Sequence, residues 1–470
     1  MAGKESVKET NQMADSKAHQ DREARRKRML TEPVLPLLIR TALPTMIGML
    51  VSMIYNLTDT FWIGRLDITE MTAAVGVVFS FLSLVQAVGF WFGYGSGNVM
   101  SRKLGAKEDE EAEIISSSGI VLALANGILL MLLSFLFIRP IAAAIGGNAS
   151  EKLMTYTLVY MKTIIPAIPF SLYATTIYNQ MRLCGNVKDG MTGMGVGIIS
   201  NILLDPVLIL GLHMEVAGAG LATTLGQVLS AFVLTWLSYH HGNTQVSLKK
   251  CNLSGGRLYH ILAGGAPNFS RQGITSLASV LLNRIAAPYG AGMIAALTIS
   301  GKVTALAYLL MVGFGQGFQP ICAMNYGAKQ YDRVRKAWDL TISIGTSFLV
   351  CAAILLYLLA GPATGLFTTD PEVLAKGTRL LRIQCFALPF LCIYAVSSMY
   401  MQNIGQYLKS LIISVSRQGL FYIPLLFLLT GTMGEQGIYY LQPLADVLSF
   451  LMALGIILKW SNLYKRRPSA

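Results

Sequence analysis

Three carboxylates are notable for where they fall. Of the 24 acidic residues, Asp59, Asp205 and Asp446 alone lie well inside long apolar blocks; the others occupy tails, polar breaks or block ends. An ionised group at membrane depth is costly unless it is paired or hydrated, so each is a functional candidate by default. Asp59 stands within Tyr55-Asn56-Leu57-Thr58-Asp59-Thr60, and Asn201 precedes Asp205 by four residues, which puts both on one helix face. Thr223 and Gln227 share a face of the next block in the same way. Carboxylate, amide and hydroxyl oxygens suit a hard cation, and desolvation raises a carboxylate's affinity for a proton. Asp59, Asn201, Asp205 and Thr223 therefore form a candidate cation-binding set for a proton or a sodium ion. Asp446 differs, because Arg271 and Arg417 lie at comparable depth and a structural ion pair is the simplest account of it.

Other chemistry is poorly provided for. The six cysteines form no Cys-x-x-Cys pair and the five histidines give no His-Glu-x-x-His, so neither a disulfide framework nor a metal centre is expected. Gly93-Tyr94-Gly95-Ser96-Gly97 lacks the Lys-Ser/Thr of a phosphate loop and reads as helix packing. No nucleophile–base pair occurs at membrane depth, so an enzyme and an organic cofactor are not expected. Pro44 lies about four turns before Asp59 in the same block and is the candidate hinge. Candidates for a substrate surface are Tyr55, Tyr173, Tyr178, Gln180 and Met181 in the first half, with Tyr394, Tyr400 and Gln402 in the second.

The elements that position these residues follow from composition. Among 470 residues 53% are hydrophobic and only 13% charged, against about 25% charged in soluble chains. The apolar blocks reach the roughly 20 residues that cross a bilayer. They predict an all-α polytopic membrane protein of twelve helices over about 36–64, 71–101, 113–139, 152–183, 189–212, 216–239, 257–286, 293–325, 333–360, 373–404, 409–430 and 434–459. The net charge of +13 is spread over block ends rather than gathered on a basic domain, which excludes nucleic acid as a partner. Lys and Arg concentrate in the breaks after even-numbered helices and in both tails, so both termini are expected in the cytoplasm.

The two halves repeat each other. Val88-Gly89-Phe90 and Gly105-Ala106-Lys107 recur as Val312-Gly313-Phe314 and Gly327-Ala328-Lys329, and Pro169-Phe170 with Gly185 recurs as Pro389-Phe390 with Gly405. The expected organisation is a charged, disordered tail (1–35), an N-terminal lobe of helices 1–6 (36–240), a linker (241–256), a C-terminal lobe of helices 7–12 (257–460) and a basic tail (461–470). Two six-helix parallel repeats are a transporter architecture.

The stretch from Leu43-Pro44 to Tyr55-Asn56-Leu57-Thr58-Asp59-Thr60-Phe61-Trp62-Ile63-Gly64 resembles the signature of the multidrug and toxic compound extrusion (MATE) transporters, and the resemblance, nearest to the DinF-like and MepA-like bacterial branch, extends along the whole chain. It implies an antiporter of the inner or plasma membrane that moves small organic, often cationic, compounds outward against protons or sodium. Because one chain carries every helix such a mechanism needs, a functional monomer with no obligatory protein partner is expected. The resemblance puts the coupling cation on Asp59, Asn201, Asp205 and Thr223 and the bend at Pro44. Where some relatives carry acids in helices 7 and 10, this chain has Arg271, Gln272, Gln402, Asn403 and Gln406. A lipid-linked precursor flippase of the same broad superfamily is the alternative, with Arg271, Arg284, Lys302 and Arg417 as its phosphate-binding cations.

Overall fold

The structure, a computed structural model, describes residues 20–66, 68–241 and 250–460, excluding the side chains of 54–61, 64 and 460. Hydrocarbon offers no partner to backbone amides, so apolar runs of this length close their hydrogen bonds within helices. Among the described residues there is no strand. Twelve long helices run α1 Val34–Gly64, α2 Thr69–Gly105, α3 Asp109–Leu136, α4 Glu151–Leu183, α5 Val187–Gly211, α6 Glu215–His240, α7 Gly255–Ala286, α8 Ala291–Gly327, α9 Tyr331–Leu358, α10 Pro371–Asn403, α11 Tyr407–Met433 and α12 Glu435–Trp460. Helix α7 is as long as the others but more polar, with Arg257, His260, Asn268, Arg271, Gln272 and Arg284 along it.

The duplication is visible in backbone geometry. Helix α4 is interrupted by a tight turn at Ile165–Ala167, and α10 by one at Leu388–Phe390 with a 44° bend; proline lies in each turn. Helices α2 and α8 are each followed, two residues on, by a lysine in the left-handed region, Lys107 (φ 63°) and Lys329 (φ 59°), where a Cβ costs about 1–2 kcal/mol. Helices α4 and α10 are followed by left-handed Gly185 (φ 81°) and Gly405 (φ 85°). At all four ends the next amide returns five residues, as in Glu108 N–H to Lys103 O (2.9 Å) and Gln406 N–H to Met401 O (2.8 Å), which caps the helix.

The chain forms two compact units that do not divide at the linker: one comprises Met1–Glu32 and Ile47–Gly265, the other Pro33–Met46 and Ala266–Ala470. The division of α1 falls just after Pro44, and that of α7 just before Pro267. In the second unit the start of α1 lies against α8, where Thr41 Oγ1 donates to Gly317 O (2.9 Å) and Thr45 Oγ1 to Gly313 O (2.7 Å). A Cβ on Gly317 would stand 2.5 Å from Ala42 Cα, so only glycine permits this approach. The first unit repeats the contact with the start of α7 against α2: Trp91 Nε1 donates to Leu262 O (2.8 Å), and a Cβ on Gly265 would collide with the Trp91 carbonyl.

Residues 20–31, expected to be disordered from their charge, are helical instead. Arg22 and Arg26 of this segment pair with acids of α3, as described below.

The α1–α8 contact predicts that Gly317→Leu destabilises the protein by about 1–3 kcal/mol or more, the usual range for overpacking. Thermal unfolding in detergent reads this against Gly301→Leu, whose Cβ would meet no atom within 4 Å and which should leave the midpoint nearly unchanged.

Candidate functional site

In the first unit the geometry is set by how closely α5 and α6 approach. A Cβ on Gly226 would lie 2.8 Å from the Gly197 carbonyl, and one on Gly197 would collide with Ser230 Oγ. One turn further on, this proximity presses Asn201 against Thr223, with Asn201 Nδ2 donating to Thr223 Oγ1 at 3.2 Å and to Asp205 Oδ1 at 3.5 Å. All three side chains are buried, Asp205 completely. Immediately beyond Asp205 and Pro206, α5 widens into a π-helical turn at Val207–Gly211, a device common at functional sites.

Among the described residues, nothing donates a hydrogen bond to the buried Asn201 Oδ1 or to the buried Gln227 Oε1 of α6. Buried oxygens without donors are what a desolvated cation requires. Among the described residues no three His, Cys, Asp or Glu converge, so the set suits a proton or a monovalent ion better than a transition metal. The structure thus brings together three of the four residues expected to bind the cation. Asp59 lies on the part of α1 that belongs to the same unit, but its side chain, like that of Tyr55, falls outside the described residues.

In the second unit Arg417 and Asp446 meet in a forked contact: Nε to Oδ1 at 2.7 Å and Nη2 to Oδ2 at 3.4 Å. Gln442 Nε2 also donates to Oδ1 at 2.6 Å, and the guanidinium lies over the Tyr308 ring, 4.9 Å from its centroid. Arg417 stands on a second π-helical turn, Ser416–Phe421 of α11. Arg271, expected to share this pair, does not: both oxygens of Asp446 are already engaged, and Arg271 makes no ion pair or side-chain hydrogen bond among the described residues.

A family model for MatE matches residues 44–207 and 268–428. The chain belongs to the MatE family. It is 29% identical over 426 residues to the multidrug export protein MepA of Staphylococcus aureus, covering 90% of this chain and 94% of that protein. To MepA of Staphylococcus haemolyticus it is 28% identical over 423 residues, covering 90% and 92%. Among solved structures it is similar to an outward-facing multidrug resistance MATE family transporter of the MOP superfamily (TM-score 0.85, 23% identity, 93% of this chain and 98% of that one). A MATE in the bent conformation superposes with a TM-score of 0.87 at 23% identity, over the same shares of the two chains. These likenesses establish the twelve-helix MATE fold, a fold of transporters rather than enzymes.

Within this MATE chain most residues expected on a substrate surface are committed to packing. Gln180 is fully buried, its Oε1 accepting from Ser116 Oγ (2.8 Å) and its Nε2 donating to Ser96 Oγ (2.9 Å), so it ties α4 to α2 and α3. Met181 belongs to the core cluster of Ile120, Ile177 and Leu234. Tyr394 donates to Ser414 O (3.0 Å), Tyr400 stands edge-on to Trp338, and Gln402 is buried. Tyr173 is half-buried on Thr235 Oγ1 (2.7 Å), and Tyr178 on the Met191 sulfur (3.5 Å). Polar groups in hydrocarbon need a partner in the fold, and Gln180, Tyr394 and Tyr173 have each found one.

Cys184, between α4 and α5, has its thiol pushed up to about 12 by burial, which keeps it protonated and inert.

Sequence reasoning missed an ion-pair cluster at the start of α3. Glu113 receives Arg22 (2.7 Å) and Lys250 (2.6 Å), Glu111 receives Arg257 (2.8 Å), and Asp109 receives Arg26 (3.0 Å). Arg25 Nη2 donates to His241 O at 2.6 Å, and His241 faces Asp189 at 2.9 Å. The acidic run Asp109-Glu110-Glu111 and the basic run Arg25-Arg26-Lys27-Arg28 were the available signal. Acids at a helix N-terminus are favoured by its dipole, so the cluster also stabilises α3.

Two outcomes follow for this MATE chain. Asp446→Asn should cost about 3–5 kcal/mol, because it strands the Arg417 guanidinium, whereas Arg417→Met with Asp446→Leu should restore most of the loss, as read by thermal unfolding in detergent. Raising salt from about 0.1 M to about 1 M shortens the screening length from about 10 Å to about 3 Å. Trypsin should then cut within Arg22–Arg28 several-fold faster; an unchanged rate would mean that Met29, buried against Gly185, holds the helix alone.

Proposed function

We propose that this chain is a secondary-active multidrug exporter of the cell's inner or plasma membrane. It carries organic, often cationic, compounds outward against inward protons or sodium, by alternating access. The observation that carries this reading is the buried Asn201–Asp205–Thr223 contact, with its unmatched amide oxygen, in a member of a transporter family. A cation entering that set would draw Asp205, Asn201, Thr223 and the Asp59 carboxylate together, and so favour one arrangement of α1, α5 and α6 over another. A ligand shifts such an equilibrium only by its difference in affinity for the two states, which a buried carboxylate supplies. Pro44 is the hinge in this scheme, because it interrupts the amide ladder of α1 just where the helix divides between the units. The curated relatives are named as multidrug export proteins, which supports the choice of cargo.

Basic residues after the even-numbered helices, such as Arg102, Lys103 and Lys107, support placing both termini in the cytoplasm. The chain supplies all twelve helices of the fold, and a monomer is the proposed working form. The flippase alternative is disfavoured: Arg417 is neutralised by Asp446, and Arg284 and Lys302 are exposed on α7 and α8.

Efflux of a fluorescent organic cation from proteoliposomes, under proton and sodium gradients imposed separately, tests the proposal. Export should follow one gradient and fall at least about tenfold, a barrier of roughly 1.4 kcal/mol, in Asp205→Asn and in Asp59→Asn. Full export by both variants would overturn the assignment of the cation site. Absence of export under either gradient by folded protein would overturn the antiport reading itself.

A further inference from the structure

Arg271 lies at the middle of α7, sixteen residues from Gly255 and fifteen from Ala286, which is roughly 23 Å from either end. Its face of the helix is fixed by the residues that follow. Ile274 packs on α11, where a Cβ on Gly419 would sit 3.0 Å from it, and Ala278 packs among Tyr422, Leu441 and Ala445. Residues at i, i+3 and i+7 share one face, so Arg271 belongs to the face that α7 turns toward α11 and α12, which carry Arg417 and Asp446.

The charges in this region do not balance. It contains two guanidinium groups and one carboxylate, and that carboxylate accepts from Arg417 and Gln442. Arg271 is half-buried and, among the described residues, has neither an ion pair nor a side-chain hydrogen bond. A guanidinium presents five donors in a planar fork that matches a carboxylate or a phosphate. A charge at this depth is expensive and marks a substrate or ion pathway.

We propose that the second unit holds the anionic group of its substrate, a carboxylate or phosphate, on Arg271. The cargo is then not restricted to cations: a zwitterion presents its anionic end to Arg271. The Arg417–Asp446 pair prevents Asp446 from neutralising that residue. This assignment rests on the export reading above, but it concerns equilibrium binding and is independent of which ion drives transport.

The experiment compares norfloxacin, which carries a carboxylate and an amine, with its ethyl ester, which keeps the ring system and the amine but lacks the carboxylate. Binding is measured by fluorescence to purified protein in nanodiscs of neutral phosphatidylcholine. Arg271→Gln should weaken norfloxacin about tenfold or more and leave the ester unchanged, whereas Arg271→Lys should retain much of the affinity. Unchanged melting temperatures verify that the variants fold, as expected for a side chain with no ion pair or side-chain hydrogen bond among the described residues.

Equal weakening of acid and ester, or none, overturns the proposal while leaving multidrug binding intact. If the wild-type protein binds neither compound, the export reading fails and this one with it. A parallel arm adds phosphatidylglycerol. If Arg271→Gln abolishes only the thermal stabilisation by that lipid and leaves norfloxacin binding untouched, Arg271 serves a lipid headgroup and the proposal is overturned.

Discussion

In hydrocarbon a polar group has no water to turn to, so each must be satisfied by the fold or cost several kcal/mol. The hydroxyls of Thr41 and Thr45 donate to the carbonyls of Gly317 and Gly313, Gln180 ties three helices together, and Arg417 is fastened to Asp446. Against that background the exceptions carry the information. Among the described residues, the amide oxygen of Asn201, held beside Asp205, has no donor in the first unit, and Arg271 has no anion in the second. A carboxylate set with an unmatched oxygen stands in one unit and an unmatched guanidinium in the other.

That opposition developed on a shared scaffold. The paired left-handed lysines, the paired glycine caps and the interrupted α4 and α10 show how closely the backbone has been kept in duplicate. The polar interiors have not been kept. Helix α5 presents Asn201 and Asp205 ahead of its π-helical turn, whereas α11 presents Arg417 within its own. Since a widened turn frees backbone groups locally, both helices have means of adjusting without breaking, but around charges of opposite sign.

Much of this was legible in the sequence because it depends on short spacing or on cost. Asn201 and Asp205 are four apart, and Asp205 has no reason to be within an apolar block unless it is used. The Gly-Ala-Lys breaks disclosed the repeat because the turn they form needs the same residues each time. What stayed hidden depends on long-range choice. Sequence gives the depth of Arg271 and Arg417 but not which of them reaches Asp446 first. Likewise Arg22 meets Glu113 from 91 positions away, and only the fold decides that a highly charged segment becomes an ordered helix. The packing of Gln180 was hidden for a related reason: a polar residue on an apolar block looks available until its neighbours, here Ser96 and Ser116, are known.

The division of α1 also has a consequence for how the protein is made. Thr41 must find Gly317, which follows it by 276 residues. At about 5–20 residues per second, synthesis needs roughly 14–55 s to deliver that partner. Throughout that interval the first turns of α1 wait in the bilayer or at the translocon without the glycine face that will receive them. Severing the gene at the linker would not yield two self-sufficient halves, because each product would lack the opening turns of a helix that the other had kept.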